Sequence, residues 1–128
     1  MVGALQGEIW WVELDGAAGS GTSYRNPVLV VQGDALNRSR ILTVVCVPLT
    51  SNLSWARSPG NVLLPARPPG LSKDSVANVS QLVAVEKRFL KEWAARLASE
   101  ELDRVRAGID LVLGARGTAA GSTGSAGS

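Results

Sequence analysis

Two short runs, Val28-Leu-Val-Val and Thr43-Val-Val-Cys-Val, are apolar at consecutive positions. A strand sends alternate side chains to opposite faces, so a strand that is apolar at both parities must be covered on both sides. That excludes an open sheet with one wet face at these strands and requires something packed outside them. Further β-type runs, Glu8–Leu14, Asn61–Pro65 and Ser75–Val85, join Val28–Gln32 and Leu42–Pro48, all rich in Val or Trp and bounded by Gly, Pro, Asn and Ser. Their succession predicts a mainly β fold, a small barrel. Its outside cover is expected to be a C-terminal helix. Ser99 reads as the N-cap, Glu100 and Glu101 favour the first turn, Leu102, Val105, Ile109 and Val112 recur at helical spacing, and Gly114 can close the end. This predicts a helix over residues 100–113. Phe89, Trp93 and Leu97 share the same spacing and suggest a second helical segment over 89–97.

The chain of 128 residues is sized for one compact domain, expected over residues 1–114. Beyond it, residues 115–128 are a Gly/Ser/Ala tail too poor in apolar side chains to offset the entropy of ordering it, and disorder is expected there. Histidine is absent and Cys46 is the single cysteine, which excludes a histidine-based triad, a His/Cys zinc site and an internal disulfide. Chemistry is left to arginine, lysine, acids, hydroxyls and backbone amides. The net charge of +2 permits a nucleic-acid partner without requiring one. No run is long and apolar enough to span a membrane, and Met1 to Gln6 lacks a basic segment followed by an apolar core. A cytoplasmic protein is expected, so the N-x-S sequons at Asn37, Asn52 and Asn78 read as chance.

One connection is long for a link between two strands. Asp15 to Asn26 contains three glycines, hydroxyls on Ser20, Thr22 and Ser23, and the pair Tyr24-Arg25. Such a segment suits a flap that binds an anion, and equally a plain surface connection.

The segments then fall into a recognisable order: Gly7-Glu-Ile-Trp-Trp-Val-Glu-Leu-Asp, Gly19-Ser20, Pro27-Val-Leu-Val-Val-Gln-Gly-Asp-Ala-Leu-Asn, Val47-Pro-Leu-Thr-Ser-Asn, and Gly70-Leu-Ser-Lys-Asp-Ser-Val with Gln81. This set resembles the MazF/PemK family of toxin endoribonucleases over about residues 6–114. The resemblance implies an SH3-like, MazF/CcdB-like barrel with a C-terminal α-helix. It implies a homodimer that cuts single-stranded mRNA at short sequences, uses no metal or other cofactor, and is held inactive by a MazE-like antitoxin. The implied products carry a 2′,3′-cyclic phosphate and a 5′-hydroxyl.

Cleavage by the RNA's own 2′-hydroxyl needs no protein nucleophile. The enzyme must move a proton from that hydroxyl, stabilise extra negative charge at phosphorus and protonate the leaving oxygen. The resemblance assigns the catalytic threonine to Thr50, which with Ser51 and Asn52 forms a polar cluster able to hold a phosphate oxygen. Without the family, Thr-Ser-Asn reads as a turn that ends a strand. The family's catalytic arginine directly precedes the proline of the Pro-Val-Leu-Val strand, and here that position is Asn26, with Arg25 one residue earlier. Neighbours on an extended segment point to opposite sides, so Arg25 does not simply inherit the role. The family's flap sequence Gly-Ser-Glu reads Gly19-Ser20-Gly21, which lacks the carboxylate. Asn26 and Gly21 together point to weakened or absent turnover on an intact fold.

RNA contacts are expected from Ser20, Gly21, Ser51 and Asn52, and from Asn78 and Gln81, which alternate off a strand and could read base edges or merely form its polar face. One of Trp10 and Trp11 is expected in the core and the other at the surface or a dimer contact. Trp55 suits stacking on a base or a packed loop, and Arg38, Arg40, Arg57 and Arg67 an RNA path or solvated charge. Cys46 reads as a buried small hydrophobe. Two other classes stay open: a barrel that binds RNA or antitoxin without chemistry, and a CcdB-like toxin directed at gyrase.

Overall fold

The structure, a computed structural model, describes residues 3–14 and 24–114. Seven strands, β1 Glu8–Leu14, β2 Tyr24–Val30, β3 Thr43–Thr50, β4 Val62–Leu64, β5 Ser75–Ala77, β6 Val83–Glu86 and β7 Leu90–Arg96, form one antiparallel sheet. A short helix, α1 (Asp34–Asn37), follows β2, and the chain closes on α2 (Ser99–Leu113). The sheet order is β4-β5-β3-β2-β1-β7. Along one side of β3 the pairing is divided: Thr43–Cys46 pair with β6, whereas Leu49 and Thr50 pair with β5. This fork curls the sheet into a half-barrel.

The two-sided apolar pattern of β2 and β3 has the cause expected from the sequence. Leu29, Val47 and Leu49 join Ile9 in a cluster that packs against Val105, Leu102 and Ile109 of α2. Val28, Val30, Val44 and Cys46 join Val12 on the opposite face, where Trp10, Leu14, Val85, Phe89 and Leu90 cover them. The helix is thus one cover and the curl of the sheet the other. Cys46 is fully buried, and burial pushes its thiol up to about 12.

Three local expectations are corrected. The run read as a single strand over Ser75–Val85 is interrupted by a 3-10 turn at Val79–Gln81, where the Asn61 carboxamide accepts from the Val79 N–H at 3.0 Å and the chain turns from β5 to β6. Residues 89–97 do not form an α-helix: Phe89 ends a 3-10 turn at Lys87–Phe89 and Leu90–Arg96 form β7, because pairing with β1 over Glu8 to Val12 outweighs a chance helical spacing of three apolar residues. Trp93, one of those three, is 51% exposed. The third correction is the N-cap of α2, which is Ala98 rather than Ser99. In place of a capping hydroxyl, Glu101 reaches back to accept from the Ala98 N–H at 2.9 Å and pairs with Arg67. Gly114 closes the helix in the left-handed conformation, φ 70°, as its sequence position predicts.

Besides its apolar side chains, the helix meets the rest of the fold through backbone at one point. A Cβ on Gly108 would lie 2.0 Å from the Gly60 carbonyl oxygen, so the helix sits directly on the turn before β4. Gly108→Ala is therefore expected to lower the melting temperature, although alanine alone would favour the helix by about 1 kcal/mol. A thermal melt showing a rise would mean that α2 does not pack here.

Burial disfavours the Glu101 charge, but the Ala98 N–H and the Arg67 guanidinium outweigh it and hold its carboxyl below the usual carboxylate range. The sign follows: the folded form binds this proton less readily than the unfolded one, so the contribution is complete above the ordinary carboxylate range and fades as pH falls through the lower folded value. In melts recorded from pH 7 downwards, the stability gap between the parent and Glu101→Gln is expected to narrow in acid. A gap independent of pH would refute the assignment.

Candidate active site

A cleft of about 390 Å³ opens where the sheet curls. Its walls come from four places: Trp11 on β1, Asn26 and Pro27 on β2, Pro48 to Ser51 at the end of β3, and the Leu71–Ser75 loop with Asn78. The fold gathers Asn26, Thr50, Ser51 and Asn78 around this one cleft.

Thr50 ends β3, paired with Val76. Its Oγ1 accepts a hydrogen bond from the Asn52 N–H at 3.1 Å, so its own hydroxyl proton can be donated elsewhere. Asn52 takes no part in the cleft wall. Its carboxamide oxygen accepts from the Ser54 N–H at 3.2 Å and the Ser54 hydroxyl at 2.7 Å, which fixes the turn leaving the strand. Thr50 both takes part in the local turn and lines the cleft. Asn26 is half-buried and its amide donates to the Leu49 carbonyl at 3.3 Å. It also borders a second, largely apolar hollow of about 340 Å³ lined by Val12, Val28, Val83, Val85 and Phe89, so there is room around it for a longer side chain.

Arg25 stands apart from the cleft lining. Its guanidinium is bonded to Glu92 at 2.9 Å and to Glu13, and lies 4.4 Å from the centre of the Trp11 ring. The Glu92 hydrogen bond first, then Glu13, raises its pKa above the ordinary arginine value against some desolvation. Its ion pairs with Glu13 on β1 and Glu92 on β7 hold Arg25 against the Trp11 ring and out of the cleft lining. Gln81 is exposed on the 3-10 turn and does not border the cleft, because the interruption of the Ser75–Val85 run rotates it off the strand. The Ser20 and Gly21 positions lie outside the described residues.

Trp10 and Trp11 are both half-buried on opposite faces, one against the Val12 cluster and the other against the Ile9 cluster. Trp55 is exposed, whereas Arg67 is tied to Glu101 and the Pro65 carbonyl rather than laid out for a ligand. Arg38, Arg40 and Arg57 do not border the cleft.

Sequence reasoning missed Trp11, Ser72, Lys73 and Ser75 as cleft residues. The signal was in the Gly70-Leu-Ser-Lys-Asp-Ser-Val segment, which carried the family resemblance but no assigned chemistry. The loop is held by main chain. Arg67 and Leu71 exchange backbone hydrogen bonds of 2.7 and 3.0 Å, Asp74 accepts from the Ala66 N–H at 2.8 Å, and the Trp11 indole donates to the Gly70 carbonyl at 2.9 Å. A Cβ on Gly70 would lie 1.9 Å from the Ala94 carbonyl oxygen, so only glycine fits against β7.

The model of the PemK-like, MazF-like toxins of type II toxin-antitoxin systems matches residues 5–113. The chain belongs to this toxin family. Endoribonuclease MazF6 of Mycobacterium tuberculosis is 40% identical over 106 residues, covering 83% of this chain and 93% of the relative. Endoribonuclease EndoA of Bacillus subtilis is 28% identical over 108 residues, covering 84% and 92%. Among solved structures, a MazE-MazF crystal structure from Deinococcus radiodurans superposes with a TM-score of 0.71 at 26% identity, covering 87% of this chain and 96% of that one. The half-barrel with its C-terminal helix is therefore the fold of MazF toxins.

In this family member, Trp11→Phe would keep the ring and remove the donor to Gly70. A loss of about 1–3 kcal/mol is expected from the carbonyl left without its partner, together with faster amide exchange over Leu71–Ser75. Unchanged exchange there would show that the indole does not position the loop.

Proposed function

We propose that this chain is a sequence-specific, metal-independent endoribonuclease toxin that cuts single-stranded RNA in the Thr50 cleft, acts as a homodimer in the cytoplasm and is restrained by a MazE-like antitoxin. The observation that carries the reading is the convergence of Thr50, Ser51 and Asn78 with the family's arginine position, Asn26, around one cleft. Family membership and the endoribonuclease names of the relatives favour it over a gyrase-directed toxin. The solved MazE-MazF assembly of the same fold supports the antitoxin.

In the reaction, the 2′-oxygen of one ribose attacks its own 3′-phosphorus, and the bond from phosphorus to the next 5′-oxygen breaks. The 2′-hydroxyl proton leaves to a base, and a proton is delivered to the 5′-oxygen. Thr50, whose oxygen already accepts from Asn52, donates its proton to a non-bridging phosphate oxygen. Asn26 donates an amide hydrogen at the place where the family has a guanidinium, which orients the phosphate without neutralising it. Ser51 and Asn78 offer hydrogen bonds to neighbouring RNA groups. The expected result is a correctly shaped site with low turnover.

Asn26→Arg is expected to raise the cleavage rate of single-stranded RNA by roughly a hundredfold to a thousandfold, the usual scale for one preorganised transition-state contact. Sequencing of the RNA ends should show cuts at a short motif with 5′-hydroxyl products. Equal rates for parent and variant would sink the role given to position 26, and an absence of RNA cleavage by both would sink the ribonuclease reading.

A further inference from the structure

With asparagine at position 26, the charge needed near the phosphodiester must come from another side chain. Most cations near the sheet are already engaged. Arg25 is fastened to Glu13 and Glu92, Arg67 to Glu101, Arg88 to Glu86 and Arg96 to Glu8. Lys87 donates to the Asn37 and Ser39 carbonyls at 3.0 and 3.1 Å. Among the described arginines and lysines, Lys73 alone lines the cleft, and its ammonium has no ion-pair partner among the described residues.

We propose that Lys73 is the cationic contact to an RNA phosphate in the Thr50 cleft. The assignment rests on the ribonuclease reading above and names the residue that supplies charge to that site. Three observations support it. The adjacent acid, Asp74, turns its carboxylate onto the Ala66 N–H and does not line the cleft, so it does not neutralise the lysine there. The loop carrying Lys73 is fixed at its base by the Arg67–Leu71 backbone pair, the Trp11 indole and the Gly70 approach to Ala94, which holds the lysine backbone at the cleft wall and leaves only the side chain to be ordered on binding. A lysine is a compact charge with three donors on a flexible stem, able to reach one phosphate oxygen where a planar fork has not been provided.

The test uses the whole chain and a fluorescent 2′-O-methyl RNA oligonucleotide, which cannot attack its own phosphate. Affinity is measured by anisotropy over a range of salt for the parent, Lys73→Gln and Lys73→Arg, with a melt of each. The loss of one phosphate contact lowers the slope of log affinity against log salt by about 0.7 on a single strand. That decrease is expected for Lys73→Gln, with weaker binding at low salt, an unchanged melting temperature, and parental slope in Lys73→Arg. Parental slope and affinity in Lys73→Gln would overturn the assignment, as would equal losses in both variants accompanied by a lowered melting temperature, since that would make Lys73 structural. If the parent binds and cleaves RNA while Lys73→Gln matches it, only the lysine assignment falls. If the parent shows no salt-dependent binding of single-stranded RNA, the ribonuclease reading falls and the assignment with it.

Discussion

The fold rests on the need to bury β2 and β3 from both sides. A single sheet with apolar side chains at both parities cannot be satisfied by one layer, and the described residues offer only one long helix. The helix covers the Leu29–Val47 side, and the other side is closed by folding the sheet on itself, with β6 and Phe89 brought over Val30 and Val44. That requirement forces β3 to divide its pairing between β5 and β6. The cleft lies beside this division, at the end of β3 where the sheet parts.

Much of this was legible in the chain. The first strand was bounded correctly because its apolar run ends in polar turn residues, and the terminal helix was placed to within one residue because period, acidic first turn and closing glycine agreed. The remainder depended on contacts that local pattern does not carry. Leu90–Arg96 are a strand because β1 offers them an unpaired edge, and the break at Val79 depends on the carboxamide of Asn61 eighteen residues earlier. The N-terminal cap of α2 was misplaced by one residue because its capping group is a glutamate reaching backwards from inside the helix.

The site was partly legible for a related reason. Asn26 and Thr50 lie on β2 and β3, neighbouring strands with an apolar pattern that marks them in the sequence, and both are found at the cleft where these strands run beside each other. Arg25 is kept from the cleft by its partners, Glu13 opposite it on β1 and Glu92 on β7, which the position of one residue on a strand does not reveal. Lys73 and Gln81 lie in a loop and a turn, where direction is set by distant partners, so one was overlooked and the other given a place it does not occupy.

The main-chain anchoring of the Gly70 loop separates two things that are often lost together. The carbonyls of Gly70 and Ala94, the Ala66 amide and the Arg67–Leu71 bridge determine where the cleft wall stands, and none of these groups performs chemistry. Asn26, Thr50 and Lys73 can therefore change while the wall stays in place. The shape of the cleft and the groups exposed in it are thus set by different parts of the chain, so a substitution in one leaves the other in place.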